Sequence, residues 1–182
     1  LIKSSTSKAF GMGPMFRRER PQKGRFRQFN QINFEILGSS DSFADTELII
    51  LANEFLKNLK LDKKIKLYIN SLGDLNTLSQ YKKKLSIYYE KYNNDLSDES
   101  KLKIKINPLR ILDSKNTKDI KINAEAPKIE KFYSIQATKI FDDVKNLLSN
   151  TGIVFEIDEN LVRGLDYYCH TVFEFKTNVL GA

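Results

Sequence analysis

The chain has 182 residues and a net charge of +7, with 41% hydrophobic and 29% charged residues, the balance of one compact domain or of a core with one sizeable insertion. No run approaches the roughly 20 apolar residues that span a bilayer, and the first five residues lack the apolar core of a signal peptide. One cysteine, Cys169, and one histidine, His170, exclude an intrachain disulfide and a Cys/His zinc site, and leave a Ser-His-Asp or Cys-His hydrolase with a single imidazole to use.

In chain order, residues 9–19 read as a strand running into a basic loop. Pro21, Lys23 and Gly24 supply turn chemistry, and residues 26–37 form the returning strand of an antiparallel hairpin. Between Arg17 and Arg27 lie six basic residues and one acid, Glu19, and five of the six are Arg in a chain that elsewhere prefers Lys. Arginine forks recognise phosphate or carboxylate in a fixed plane, so a phosphorylated ligand, nucleotide or nucleic acid is the expected partner. Side chains alternate faces along a strand. The even positions Phe26, Ile32, Phe34 and Ile36 make an apolar face, and the odd positions Arg27, Phe29, Gln31, Asn33 and Glu35 make a polar one. Phe29 to Glu35 spans roughly 20 Å at about 3.3 Å per residue, the length of an extended aminoacyl nucleotide. The same alternation also fits a sheet with one wet face.

Residues 44–60 read as an amphipathic helix with Leu48, Leu51, Ala52, Phe55, Leu56 and Leu59 on one face. Ile65, Leu67 and Ile69 alternate as a strand ending at Gly73. From residue 74 to 132 the texture turns Lys- and Asn-rich, with 13 basic and 9 acidic residues. Leu78, Tyr81, Leu85, Tyr88 and Tyr92 there keep helical spacing, and the tyrosine stripe reads as core rather than as a stacking platform. Helix breaks fall near Asp95–Asp98 and at Asn107-Pro108. A helix over 133–150 follows, with Ala137, Phe141, Val144 and Leu148 on one face and Gly152 just past its end. Strands are expected at Ile153–Asp158 and around Tyr167–Thr177. Between them stands the run Leu161-Val162-Arg163-Gly164-Leu165-Asp166-Tyr167-Tyr168.

Two segments carry a resemblance. GPMFRRERPQKGRFRQFNQ, from Gly13 to Gln31, resembles motif 2 of the histidyl-tRNA synthetases, a family of class II aminoacyl-tRNA synthetases. LVRGLDYY, from Leu161 to Tyr168, resembles that family's histidine-specificity signature, and NPLRILDSK, from Asn107 to Lys115, is similar to the family as well. The resemblance implies an α+β fold: a class II antiparallel sheet with flanking helices and a helical insertion. It divides the chain into core residues 1–73, an insertion over 74–132 near the tRNA acceptor stem, and core residues 133–182.

The implied activity is histidine–tRNA ligation: ATP and histidine form histidyl-adenylate, and histidine is then transferred to tRNA(His), with Mg²⁺ accompanying ATP. Arg17 matches the arginine that clamps the α-phosphate and the amino-acid carboxylate. Arg163 matches a second active-site arginine at the α-phosphate. Glu19 matches the residue near the adenine amino group, Arg25 a loop arginine on the ATP phosphates, and Phe29 the ring stacked on adenine. Gln31 and Glu35 match contacts to the amino group and imidazole of histidine, and Tyr167 and Tyr168 match its pocket. Asn30 departs from the family, which often has His or Tyr there. The implied setting is a cytoplasmic homodimer. The family's motif 1, motif 3 and anticodon-binding domain are not found in these 182 residues, so the chain is expected to be a central fragment of the catalytic domain, inactive alone. The competing readings are a synthetase-like regulatory subunit of histidine biosynthesis and a basic RNA-binding module.

Overall fold

The computed structural model describes residues 6–18, 25–163 and 167–177. The elements in order are strands β1 (Ser7–Phe16) and β2 (Gln28–Leu37), helix α1 (Ser42–Asn58), strand β3 (Lys66–Ser71), helices α2 (Leu75–Lys91), α3 (Asp98–Ile106), α4 (Leu109–Leu112), α5 (Thr117–Asn123) and α6 (Ile135–Asn150), and strands β4 (Phe155–Ile157) and β5 (Thr171–Lys176). Short 3₁₀ turns cover Asp62–Lys64 and Ile129–Phe132.

The described strands form two sheets. β1 and β2 pair antiparallel from Ser7↔Leu37 to Phe16↔Gln28, the expected hairpin. The second sheet has the order β4-β3-β5. β3 pairs antiparallel with β5 and parallel with β4, so the sheet is mixed rather than wholly antiparallel. A parallel neighbour needs a crossover, and here everything from α2 to α6 supplies it. β5 begins at Thr171 rather than near Tyr167, because His170 takes φ 55 and breaks the extended run.

Most helix starts are written in the sequence. The side chains of Asp41, Asp74, Ser97, Asn116 and Ser134 each accept a first-turn amide of the helix that follows, satisfying N–H groups that have no intrahelical acceptor. α6 ends through Gly152 at φ 74, with Ile153 N–H returning to the Leu148 carbonyl at 3.1 Å. Its apolar face is the expected one, with Ala137, Phe141, Val144 and Leu148 buried.

α1 differs from its reading. It buries Ser42, Thr46 and Ile49, whereas Leu51, Phe55 and Leu59 of the expected face stay exposed. The helix carries two apolar stripes: Ile49 joins Leu67, Ile69 and α6, and Leu48 and Leu51 border a groove toward the hairpin.

Among the described residues there are two cores. One lies between β3, α1 and α6, around Ile69, Val144 and Leu148. The larger runs through residues 78–129 and continues into Leu72, Leu161, Val162 and Val172. Of the expected tyrosine stripe, Tyr81 belongs to it and Tyr88 packs against it, whereas Tyr92, past the end of α2, is exposed and Tyr89 takes the buried place instead. Tyr81 and Tyr89 are buried, and their hydroxyls donate to Pro127 O at 2.9 Å and Asn123 Oδ1 at 2.8 Å; the half-buried Tyr88 donates to Ile122 O at 2.8 Å.

The buried carboxylate of Asp119 pins this region. It accepts from Ser97 N (2.9 Å) and from the hydroxyls of Ser97 (2.7 Å), Ser100 (2.7 Å) and Ser114 (2.6 Å). Burial pushes its pKa up. The Ser114 hydroxyl, the Ser97 amide and the other two hydroxyls outweigh that and hold it at about 2.

Candidate active site

The hairpin positions the first group of side chains. Arg17 follows β1, and its N–H donates to Arg27 O at 2.8 Å, so pairing continues past the end of the strand. Odd parity aims Phe29, Gln31 and Asn33 to one side of β2. Arg17 Cζ lies 4.4 Å from the centroid of the Phe29 ring, and Nη2 donates to Gln31 Oε1 at 3.0 Å. Gln31 Nε2 donates in turn to Asn33 Oδ1. A cation over a ring is attracted by roughly 0.5–1 kcal/mol at an exposed site, and the amide fixes the plane of the fork. Arginine, aromatic ring and amide therefore lie in a row. Asn33 shares the face by parity and is joined to the row by this bond, a part that no motif signals.

The opposite face corrects the sequence reading. Phe26 is 66% and Ile32 37% exposed, while Phe29, Gln31 and Asn33 are half-buried. The polar face is covered by its own mutual contacts. On the apolar face Phe34 and Ile36 are half-buried and border a groove shared with α1.

The other expected site residues lie apart from this row. Glu35 is exposed and borders a groove of about 240 Å³ with Glu47, Leu48 and Leu51 of α1, next to the ion pair of Lys8 with Glu47. Arg25 lines a cavity of about 820 Å³ whose other walls come from residues 97–116 and Val162. Lys103, Arg110 and Lys115 bring positive charge to that cavity, and Asp98, Glu99 and Asp113 bring negative charge. Glu19 lies outside the described residues.

Arg163 is half-buried, and its Nη2 donates to Phe173 O on β5 at 2.5 Å, which anchors the guanidinium to the sheet. The rings of Tyr167 and Tyr168 stack with centroids 4.7 Å apart and planes inclined by 31°. Their hydroxyls interact, and the hydrogen bond from Tyr168 raises the Tyr167 phenol above its ordinary pKa. Among the described residues, no hydrogen bond, ion pair or ring contact joins Arg17, Phe29 or Gln31 to Arg163, Tyr167 or Tyr168. What the two ends share is the cavity: Arg25 from the hairpin and Val162, beside Arg163, line it together.

Among the described residues, no three of His, Cys, Asp and Glu gather as a metal site. Among the described residues, no helix is long and apolar enough to cross a membrane.

No protein-family profile matches the chain. Over 175 residues, 96% of its length, it is 53% identical to the histidine–tRNA ligase of Wolbachia pipientis wMel and 51% identical to that of Ehrlichia ruminantium (strain Gardel). Its fold resembles the crystal structure of apo Staphylococcus aureus histidyl-tRNA synthetase with a TM-score of 0.69 at 31% identity, covering 92% of this chain. The chain spans 43% and 42% of the two relatives and 38% of the solved chain. In sequence and in its α+β fold, the chain is homologous to a stretch of the histidine–tRNA ligases, which are class II aminoacyl-tRNA synthetases.

Proposed function

We propose that this chain supplies the adenylate-forming part of a histidine–tRNA ligase. One observation carries the reading: Arg17 stacked over Phe29 and bonded to Gln31, all facing one way from the hairpin. This arrangement suits a nucleotide monophosphate joined to an amino acid. Phe29 offers a flat face to adenine, Arg17 a fork to the α-phosphate and the carboxylate, and Gln31 an amide oxygen to the histidine amino group.

In the first step a carboxylate oxygen of histidine attacks the α-phosphorus of Mg-ATP. The bond to the bridging oxygen breaks, and pyrophosphate leaves with the electron pair. Negative charge gathers on the α-phosphoryl oxygens, where the guanidiniums of Arg17 and Arg163 would neutralise it. In the second step a terminal ribose hydroxyl of tRNA(His) attacks the acyl carbon, its proton is lost, and AMP departs.

Arg25, and Glu19 before it, would hold the triphosphate and the adenine amino group. Glu35, Tyr167 and Tyr168 would select the imidazole. Residues 74–132 would form the insertion facing tRNA. The setting would be the cytoplasm, as a homodimer, within a longer ligase. Histidine-dependent exchange of pyrophosphate into ATP tests the reading. The full-length ligase is expected to exchange, and a polypeptide of these 182 residues alone is expected not to. Exchange in the full-length protein with another amino acid, or none with histidine, overturns the reading.

A further inference from the structure

His170 has no part in the chemistry above, yet it sits where three parts of the molecule meet. Its backbone is left-handed at φ 55, a conformation that residues with a side chain adopt rarely. The conformation is held from both sides: His170 N–H donates to Gly73 O at 2.7 Å, and Leu72 N–H donates to His170 O at 2.8 Å. Gly73 is also left-handed, at φ 65, and a Cβ there would lie 2.5–2.8 Å from the Thr77 side chain. The junction is therefore two left-handed residues cross-paired at the end of β3, with no room for a side chain on the glycine.

The same junction holds residues 74–132 at both ends. Asp74 caps α2 through Thr77 N at 2.7 Å and accepts the Ser134 hydroxyl at 2.6 Å, and Ser134 caps α6. The imidazole of His170 lies within electrostatic reach of Asp74 and of Asp45 in α1, and its Nδ1 is buried without a partner. The side chain thus makes no hydrogen bond through Nδ1, whereas the backbone makes two. Only Cys169 separates His170 from the stacked pair Tyr167–Tyr168.

We propose that His170 is a positioning residue for histidine recognition. Its left-handed backbone, clipped to Gly73 and Leu72, sets where the Tyr167–Tyr168 pair stands relative to the sheet. This inference rests on the ligase reading, in which those tyrosines receive the substrate. It assigns the effect to the backbone and not to the imidazole. Glycine and asparagine accept φ near +55° readily, alanine less so, and β-branched valine scarcely at all.

The experiment compares H170G, H170N, H170A and H170V in the full-length ligase, with KM for histidine, KM for ATP and kcat measured by pyrophosphate exchange. H170G and H170N are expected to keep the wild-type KM for histidine. H170V is expected to raise it by about tenfold, short of the ~10²-fold that a 1 Å misplacement can cost, with H170A between and the KM for ATP unchanged throughout. A KM for histidine unchanged in both H170A and H170V overturns the inference. So does a rise in H170G equal to that in H170A, which would give the role to the imidazole. If H170V does not fold, H170G against H170A decides. Wild-type protein without histidine-dependent exchange rejects the ligase reading itself, whereas an active wild type with flat KM values across the series rejects the positioning role alone.

Discussion

The hairpin β1–β2 and the segment 74–132 divide the work of the molecule in opposite ways. The hairpin carries the side chains with the most distinctive chemistry and is poorly covered: Phe10 is 78%, Met12 75% and Phe16 73% exposed. Segment 74–132 is Lys- and Asn-rich and carries no substrate-binding side chain of the proposed site, yet it holds most of the larger core and a carboxylate with no exposed surface. A region can be legible by its reactive groups or by its packing, and here the two are separate. The teaching is energetic. Substitutions in the hairpin should cost function and little stability, and substitutions in 74–132 should cost stability.

The largest expected effect tests the functional half. Arg17→Ala removes the fork that Phe29 and Gln31 hold in place, and in the full-length ligase exchange of pyrophosphate into ATP should fall by roughly 10²–10³-fold. Urea unfolding of the same variant should shift by less than about 0.5 kcal/mol, the usual bound for an exposed site. A large loss of stability there would break the comparison. Next comes the packed half: Leu85→Ala opens a cavity at a position with 0% exposure and should destabilise by about 2–5 kcal/mol, read in urea.

Asp119→Ala removes the acceptor of four hydrogen bonds at once and leaves buried donors unpaired, a loss of about 1.5–3 kcal/mol. Its carboxyl is held at about 2 in the folded chain, below the unfolded value. The protein therefore binds fewer protons folded than unfolded. The stability from Asp119 is fully present above about pH 4 and is lost as pH falls toward 2. Asp74, held at about 2 first by the Ser134 hydroxyl and then by the Thr77 amide, titrates in the same window. Acid unfolding should therefore lose amplitude between about pH 4 and pH 2 in Asp119→Ala relative to wild type. The smallest effect sharpens the contrast from the other side. Met12→Ser on the open hairpin face should change stability by less than about 0.5 kcal/mol.

Period and punctuation made much of this legible. The stripe Ala137, Phe141, Val144, Leu148 is buried as read, because a regular element repeats its geometry at every turn, whereas β2 alternates with half-buried odd positions up to Asn33 and half-buried even positions from Phe34. Leu78, Tyr81 and Leu85 of α2 were legible as core for the same reason, whereas the buried Tyr89 was not, and Tyr92 falls past the last turn and stays exposed. Tertiary choice was not. α1 offers two apolar stripes, and which one meets the core depends on where α6 and β3 stand, which no local window contains. The parallel pairing of β3 with β4 joins residues nearly 90 positions apart. Asp119 carries no motif. It looks like one more surface acid until Ser97 and Ser100 from the start of α3 and Ser114 before α5 converge on it. Arg25 reads as a phosphate ligand from its loop, but its cavity wall is made by residues 97–116, distant in sequence.

The clasp between Asp74 and Ser134 bears on how the chain assembles. β3 must find β4 and β5 across a long stretch of sequence, and closing so long a loop from a disordered chain is slow. Once α2–α5 have packed around Tyr81, Leu85 and Tyr89, residues 74 and 134 stand one 2.6 Å hydrogen bond apart, and the stretch between them no longer counts as loop. Segment 74–132 would then be the folding nucleus that lets the β4-β3-β5 sheet close. Its amides should be the last to exchange with solvent, after those of β4 and β5 have already opened.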